Sequence, residues 1–71
     1  MEFQWDAGEA GCAQLIVGLR RQLESLNCGA SLEVVARDPG APADVPAWCR
    51  MTGHTLVSAM HPVYVIQKKY S

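Results

Sequence analysis

Three cysteines are the residues of this chain best suited to covalent chemistry, and the first has the most informative position. Cys12 follows a loop that contains Gly8 and Gly11, and it opens the longest apolar repeat of the sequence. At a helix start, unpaired backbone amides and the positive end of the helix dipole favour a thiolate. The position therefore predicts a nucleophile. From position alone, however, a small apolar residue that begins a buried stripe is the favoured interpretation, because free cysteine is among the most buried residue types.

The other two cysteines have less reactive settings. Cys49 stands beside Trp48 at a helical spacing, which favours a place in the core over a redox role. Cys28 falls in a predicted turn, where it is a spectator thiol or, if it approaches Cys12, a resolving cysteine. A helix of about 24 Å between the two argues against an internal disulfide. Three cysteines cannot all pair in one chain and are fewer than secreted small domains use, so we expect a reducing, cytoplasmic compartment.

Other candidate sites are less well supported by spacing. His54 and His61 form no C-x-x-C or H-x-x-x-H pattern with the cysteines, so we expect no metal site. The segment Gly8–Gly11 matches a G-x-x-G phosphate loop, but it holds an acid and joins a strand to a helix, which indicates a chance match. Two basic pairs, Arg20-Arg21 and Lys68-Lys69, are either solvated faces or docking contacts for an acidic partner.

The first half of the chain predicts a strand, a helix and a second strand. Polar and aromatic residues alternate over Glu2–Asp6, with Phe3 and Trp5 facing inward. A helix over 12–26 places its apolar residues on one stripe, and Gly29 suits the left-handed position after it. The second strand spans Ser31–Arg37. The residues of that helical stripe and of the buried strand face are Cys12, Leu15, Ile16, Leu19, Leu23 and Leu26, then Leu32, Val34 and Ala36.

The second half predicts a short helix and a hairpin. Two prolines, Pro42 and Pro46, are tolerated only in a first helical turn, so we expect an irregular turn at 40–44 and a helix over 44–52. Asp44 is the predicted N-cap, and Gly53 closes the helix. Strands at 54–60 and 63–69 then form a tight hairpin across two residues, His61 and Pro62.

This order, β-α-β-α-β-β, predicts an α+β two-layer sandwich. We expect a four-stranded mixed sheet with both helices on one face and a parallel pair between the first two strands. The other face carries Val35 and two or three side chains of the last strands, and it is either solvated or covered by a partner.

Length and composition limit the classes of function. A chain of 71 residues predicts a single domain, 1–71, with no room for separate cofactor and substrate domains. Its 49% hydrophobic and 18% charged residues are typical of a globular protein, and a net charge of −1 argues against nucleic-acid binding. No apolar run suits a membrane span, and residues 1–6 carry no secretory pattern. We expect a monomer that acts through one or two reactive groups and a protein partner.

The spacing of several short motifs resembles the TusA/SirA family of small sulfur-carrier proteins. That family carries D-x-x-G-x-x-C-P-x-P at its first strand–helix junction, and Asp6 and Cys12 keep its Asp-to-Cys spacing. Three positions depart from it: Glu9 replaces the glycine, and Ala13 and Leu15 replace the prolines. Further matching segments are Gly29, Asp38-Pro39, Asp44-Val45-Pro46-Ala47-Trp48-Cys49 and Gly53-His54-Thr55-Leu56.

The resemblance implies a function for Cys12. Its thiolate would take a sulfane sulfur from a donor protein, hold it as a persulfide and pass it to an acceptor protein, with no cofactor. Glu9 opposes thiolate formation, whereas Ala13 and Leu15 are compatible with a helix. The chain is therefore expected to be a sulfurtransferase-like carrier. The alternative is a non-catalytic interaction or regulatory module that kept the fold and lost the transfer.

Overall fold

The first strand and first helix form where the apolar periodicity places them. The computed structural model describes residues 3–70, and at Cys12 the backbone alone. Strand β1 spans Phe3–Gly8, so the predicted start at Glu2 lies outside the described residues. Helix α1 spans Cys12–Glu24, two residues shorter than predicted. Its stripe is confirmed for Leu15, Leu19 and Leu23, which are fully buried, while Ile16 and Leu26 pack against them from the edge of the core.

The inward position of the two aromatic residues of β1 is confirmed only for Trp5. Trp5 packs against the core, and a Cβ atom at Gly18 would overlap its six-membered ring, so α1 lies very close to β1. Phe3 is 46% exposed, contrary to prediction. Phe3 is the first residue of β1, and β1 is an edge strand that pairs with β2 on one side only. Its side chain therefore has few neighbouring residues that could cover it.

The second strand matches its predicted pattern. Strand β2 spans Ser31–Ala36, and Leu32, Val34 and Ala36 are buried as expected. Gly29 adopts the predicted left-handed conformation, with φ of 84°. It does so in the turn before β2 and not at the helix end, where Ser25 is the C-cap residue.

The second helix begins earlier than predicted, and Asp44 is not its cap. Helix α2 spans Ala41–Thr52 and its N-cap residue is Gly40. The chain turns early because Asp38 accepts hydrogen bonds from the backbone amides of Gly40, at 2.9 Å through its side chain, and of Ala41, at 3.0 Å through its carbonyl. Pro46 consequently lies inside the helix, whose ladder loses one amide donor there. Gly53 ends the helix with φ of 88°, as predicted.

The predicted hairpin and sheet are confirmed. Strands β3 (Thr55–Met60) and β4 (Val63–Gln67) are joined across two residues, His61 and Pro62, and both strands are slightly shorter than expected. The sheet order is β1-β2-β4-β3, with β1 and β2 parallel and the other pairs antiparallel. The structure is thus the mixed four-stranded α+β sandwich that the element order indicates.

One apolar cluster joins both helices to one sheet face. Val34 pairs with Tyr64 and Leu32 with Ile66, so their buried side chains share that face. The other face carries Val35 and two side chains of β4, Val63 and Val65, as predicted, and all three are half-buried. The cluster consists of Leu15, Leu19, Leu23, Leu32, Val34, Ala36, Ala41, Val45, Trp48, Cys49, Tyr64 and Ile66. Within residues 3–70, no helix has the length and apolar character needed to cross a membrane.

Candidate functional site

Both helices begin at the same edge of the sheet. Parallel strands end at a common edge, and β1 and β2 therefore deliver the starts of α1 and α2 to neighbouring places. The hairpin turn at 61–62 lies there too, because the backbone amide of Ala36 donates a 2.8 Å hydrogen bond to the carbonyl of Pro62. We call this side of the molecule the thiol edge. Cys12 is the first residue of α1, and its backbone lies at the thiol edge. The Cys12 side chain lies outside the described part of the structure, so the reactivity of its thiol stays a prediction.

Asp6 fastens the loop that leads to Cys12. Its Oδ1 accepts a 2.7 Å hydrogen bond from the backbone amide of Gly8 and a 3.2 Å ion pair from the Arg37 guanidinium. The Gly8 amide, with a smaller contribution from Arg37, holds the pKa of Asp6 below its usual value. Gly8 has φ of 61°, a conformation that suits glycine, and there the chain leaves the strand. Asp6 thus acts on the site through the backbone.

Arg37 completes this arrangement and is a residue that sequence reasoning missed. Its backbone amide donates a 3.0 Å hydrogen bond to the carbonyl of Gly8, while its side chain reaches Asp6. The signal was present: in a parallel pair the residue after β2 must lie beside the end of β1. A cation directly after the second strand therefore predicts a partner for the motif aspartate.

The N-cap position of α1 leaves the first-turn amides without a side-chain partner. Gly11 is the N-cap residue and has no side chain with which to accept hydrogen bonds from the first-turn amides. No acid lies in the first turn of α1, whereas α2 carries Asp44 there. The first regular bond runs from the Leu15 amide to the Gly11 carbonyl at 2.8 Å. The positive end of the α1 dipole is therefore available to an anion at the helix start.

The three departures from the family motif fit into this fold. Leu15 is fully buried in the core, and Ala13 is exposed. The helix still begins at Cys12 without either proline, as the helix propensities of alanine and leucine predict. Glu9 is exposed in the loop before the helix. The strand and the helix on either side of the loop form with all three residues present.

A shallow apolar depression follows Cys12 along the outer side of α1. Its volume is about 360 Å³, and Val17, one of its lining residues, is 52% exposed. Exposed aliphatic surface beside a helix start is suited to contact with a protein. The lining residues are Ala13, Gln14, Val17, Gly18 and Arg21.

The remaining cysteines separate as predicted into a core residue and an exposed one. Cys49 is buried, and this burial raises the pKa of its thiol to about 11, which makes it a poor nucleophile. Cys28 is a free, exposed cysteine, four residues beyond the end of α1. Since α1 separates it from Cys12, the two lie toward opposite ends of the helix.

The histidines take part in packing and hydrogen bonding. The His54 ring lies 5.3 Å from that of Trp48, and its Nδ1 accepts a 3.1 Å hydrogen bond from the Lys69 backbone amide. His61 Nδ1 and Tyr64 Oη are 2.7 Å apart, in hydrogen-bond contact. Among the side chains that the structure describes, no three of His, Cys, Asp or Glu are grouped as a metal site.

The fold and the site define a class: small two-layer α+β proteins in which a cysteine begins the first helix, directly after a parallel strand. Comparison with known proteins then identifies the family. The sequence model described as Sulfurtransferase TusA matches residues 4–68, and the chain belongs to the TusA family.

Individual relatives agree with this assignment. The chain is 31% identical over 68 residues to the sulfur carrier protein TusA of Pseudomonas putida, a match that covers 90% of this chain and 85% of that protein. It is 42% identical over 48 residues to a candidate sulfur carrier of Neisseria meningitidis, covering 68% of this chain and 65% of that protein. It is also 39% identical over 49 residues to the candidate sulfur carrier YrkF of Bacillus subtilis, where the match covers 69% of this chain and 26% of that longer protein.

Proposed function

We propose that the protein is a sulfur carrier that accepts a sulfane sulfur as a persulfide on Cys12 and relays it to a partner protein. The observation that carries this proposal is the start of α1, where Cys12 is the first residue and neither a capping side chain nor a first-turn acid offsets the helix dipole. A thiolate or persulfide anion at that position is stabilised by the free amides. Membership of the TusA family and the names of its relatives support the same chemistry.

The transfer is an exchange between sulfur atoms and needs no oxidant. The Cys12 thiolate attacks the terminal sulfur of a donor persulfide, a new sulfur–sulfur bond forms on Cys12, and the donor cysteine leaves as a thiolate. A thiolate of the acceptor protein then attacks the terminal sulfur on Cys12, and Cys12 is released. This exchange needs an accessible sulfur on Cys12 and a surface that contacts the partner. We propose that the apolar depression lined by Val17 is that surface. We expect this exchange in the reducing cytoplasm and by a monomer, without nucleic acid or membrane.

A non-catalytic interaction module is the competing function, and one observation favours it. Glu9 places a carboxylate three residues before Cys12, where the family motif has a glycine. A negative charge near the thiol disfavours its ionisation. The competing proposal predicts a folded protein that binds a partner and carries no sulfur.

Sulfur loading distinguishes the two functions. We would incubate the protein with a cysteine desulfurase and cysteine, then locate the added sulfur by non-reducing mass spectrometry. The wild type and Cys28→Ser, which removes a free exposed thiol as the matched control, are expected to carry one extra sulfur on Cys12. Cys12→Ser is expected to carry none. Equal labelling of Cys12→Ser, or no label on Cys12 of the wild type, would overturn the carrier function.

A further inference from the structure

A groove at the end of the molecule opposite the thiol edge is lined by Arg20 and by both residues of the basic pair Lys68-Lys69. It has a volume of about 390 Å³ and lies between the C-terminal ends of α1 and α2, beside the residues that follow β4. We call it the basic groove. Its lining residues are Arg20, Leu23, Glu24, Trp48, Met51, Thr52, His54, Lys68 and Lys69.

The charge of this groove contrasts with that of the whole chain. The chain has six Lys and Arg residues against seven Asp and Glu. Three of those six, Arg20, Lys68 and Lys69, line the groove, with Glu24 as its single acid. Glu24 is paired with Arg20 Nε at 3.0 Å. The rim of the groove is therefore positive, although the protein carries a net charge of −1.

The lysines of the groove are held in place and still have donors to offer. Lys68 Nζ donates to the carbonyl of Leu26 at 2.7 Å, and Lys69 Nζ donates to the carbonyl of Thr52 at 3.0 Å. An ammonium group has three donors, so both amines retain hydrogen-bonding capacity. Because they are already positioned, binding an anion there requires little further ordering of these long side chains.

The floor of the groove is apolar. Trp48 is 5% exposed and Leu23 is buried, while Met51 stands at the side with 79% of its surface exposed. The His54 ring packs against Trp48 and extends this surface. An aliphatic or aromatic side chain can thus lie against Trp48 and Met51 while acidic groups meet the rim.

From this complementarity of charge and shape we propose that the basic groove docks an acidic segment of a partner protein. One apolar side chain of that segment contacts Trp48 and Met51, and flanking carboxylates pair with Arg20 and Lys69. The groove lies about 18 Å from Cys12 along the 13 residues of α1, so a bound segment leaves the thiol edge free. The proposal goes beyond the sulfur-carrier function and does not depend on a persulfide.

Peptide titration followed by amide NMR tests this interaction. The probe is a short capped peptide with a leucine–phenylalanine centre flanked by two acids on each side, and its control has the acids replaced by asparagine and glutamine. We expect shifts at Met51, Thr52 and Lys69 that saturate with the acidic peptide and weaken with salt. The control peptide is expected to bind at least about fivefold more weakly, because it loses the charge pairs.

A pair of double variants separates local contacts from overall charge. Arg20→Gln with Lys69→Gln removes two cations of the groove, and Arg21→Gln with Arg50→Gln removes two cations outside it, so each takes the net charge from −1 to −3. We expect the first to bind about tenfold more weakly and the second to bind nearly as the wild type does. If the first double variant does not fold, Met51→Gln, at an exposed position, is expected to weaken binding about threefold.

Three results would overturn the proposal. They are equal binding of the acidic and control peptides, equal loss in both double variants, and shifts that map to Val17 and the thiol edge in place of the groove. Sulfur loading of Cys12 is measured separately, so failure of the docking site leaves the carrier function standing, and the reverse also holds.

Discussion

The C-terminal ends of the two helices and the N-terminal end of α1 differ in whether charged side chains compensate the helix dipole. At the basic groove, Lys68 Nζ donates hydrogen bonds to the carbonyls of Leu26 and of Glu24, the last residue of α1, and Lys69 Nζ donates to the carbonyl of Thr52, the last residue of α2. At the thiol edge, α1 begins after Gly11 with no side-chain cap and no first-turn acid. The negative ends of both helices are compensated, and the positive end of the cysteine-bearing helix is not.

This difference places the contacts that stabilise the helices at the opposite end of α1 from the cysteine. Cations at helix C-termini stabilise the fold, and an N-cap at α1 would do the same. An anionic cap at Gly11, however, would occupy the amides that favour a thiolate and add a charge that opposes it. The free start of α1 is therefore consistent with the proposed role of Cys12, and the C-terminal end of α1 lies at the opposite end of the helix, where stabilising contacts are far from Cys12.

The largest effect is expected from a substitution that displaces the whole of α1, and with it both of its ends, from the sheet. Gly18→Val places side-chain atoms where the Trp5 ring lies, and we expect a loss of about 2–3 kcal/mol in the free energy of unfolding. Urea unfolding measures it. The matched control is Gln14→Val, at an exposed position of the same helix, which is expected to change stability by under about 0.5 kcal/mol.

A double-mutant cycle with Trp5→Ala shows whether the ring is the cause. The loss from Gly18→Val is expected to shrink by more than about 1 kcal/mol in the Trp5→Ala background, because the overlap is gone. A Gly18→Val variant as stable as Gln14→Val would show that Trp5 moves aside and that α1 is not fixed against β1 by this contact.

The second prediction removes the compensation at the C-terminal end. Lys68→Met keeps the aliphatic stem but loses the donor to the carbonyl of Leu26, and we expect a loss of about 1 kcal/mol. Lys68→Arg retains a cationic donor and should keep most of the stability. Thermal and urea unfolding of the three proteins test the expectation, and a Lys68→Met protein indistinguishable from wild type would contradict the proposed compensation.

Local periodicity was enough to predict most of the fold. The stripe from Leu15 to Leu23 and the alternation from Leu32 to Ala36 each repeat with the period of one element, and burial of one face explains both. The two-residue hairpin connection at His61-Pro62 was also predictable, since these two residues lie between two apolar segments and proline is typical of turns.

Features that depend on contacts distant in sequence were not predictable in this way. The start of α2 is a separate case: it was misplaced because two prolines suggested a turn, although the contact that sets it, from the Gly40 amide to Asp38, spans only two residues. The role of Arg37 depends on the parallel pairing of β1 and β2. Lys68 and Lys69 were predicted only as a charge pair, since the carbonyls of Leu26 and Thr52 that accept their hydrogen bonds lie 42 and 17 residues away.

The third prediction adds a capping side chain to the start of α1, which has none. Gly11→Asp supplies a charged cap; the position is extended, with φ of −72°, and a Cβ there meets nothing within 4 Å. We expect stability to rise by about 0.5 kcal/mol while alkylation of Cys12 near neutral pH slows about threefold, because the carboxylate competes with the thiolate. Gly11→Ser, a neutral cap, is the control and should stabilise with a smaller change in rate. Slower alkylation with both caps to the same degree would show that the charge of the cap is unimportant.

The smallest expected effect concerns the loop that precedes Cys12. The pKa of Asp6 is lowered below 3.8 in the folded protein, first by the Gly8 amide and then by Arg37. An acid whose pKa is depressed by folding contributes stability above its unfolded pKa, and that contribution is lost as pH falls through the folded value. Wild type should therefore be more stable than Asp6→Asn at pH 7, and the difference should diminish below pH 3.8.

Arg37→Gln identifies which of the two contacts of Asp6 is responsible. It removes the exposed ion pair and leaves the 2.7 Å bond from the Gly8 amide in place. Because that amide is the leading cause of the lowered pKa, Arg37→Gln should retain most of the acid-dependent loss, as followed by urea unfolding across the acidic range. If Arg37→Gln instead behaves like Asp6→Asn, the ion pair between the ends of β1 and β2 holds the loop, and the thiol edge depends on a cation, as the basic groove does.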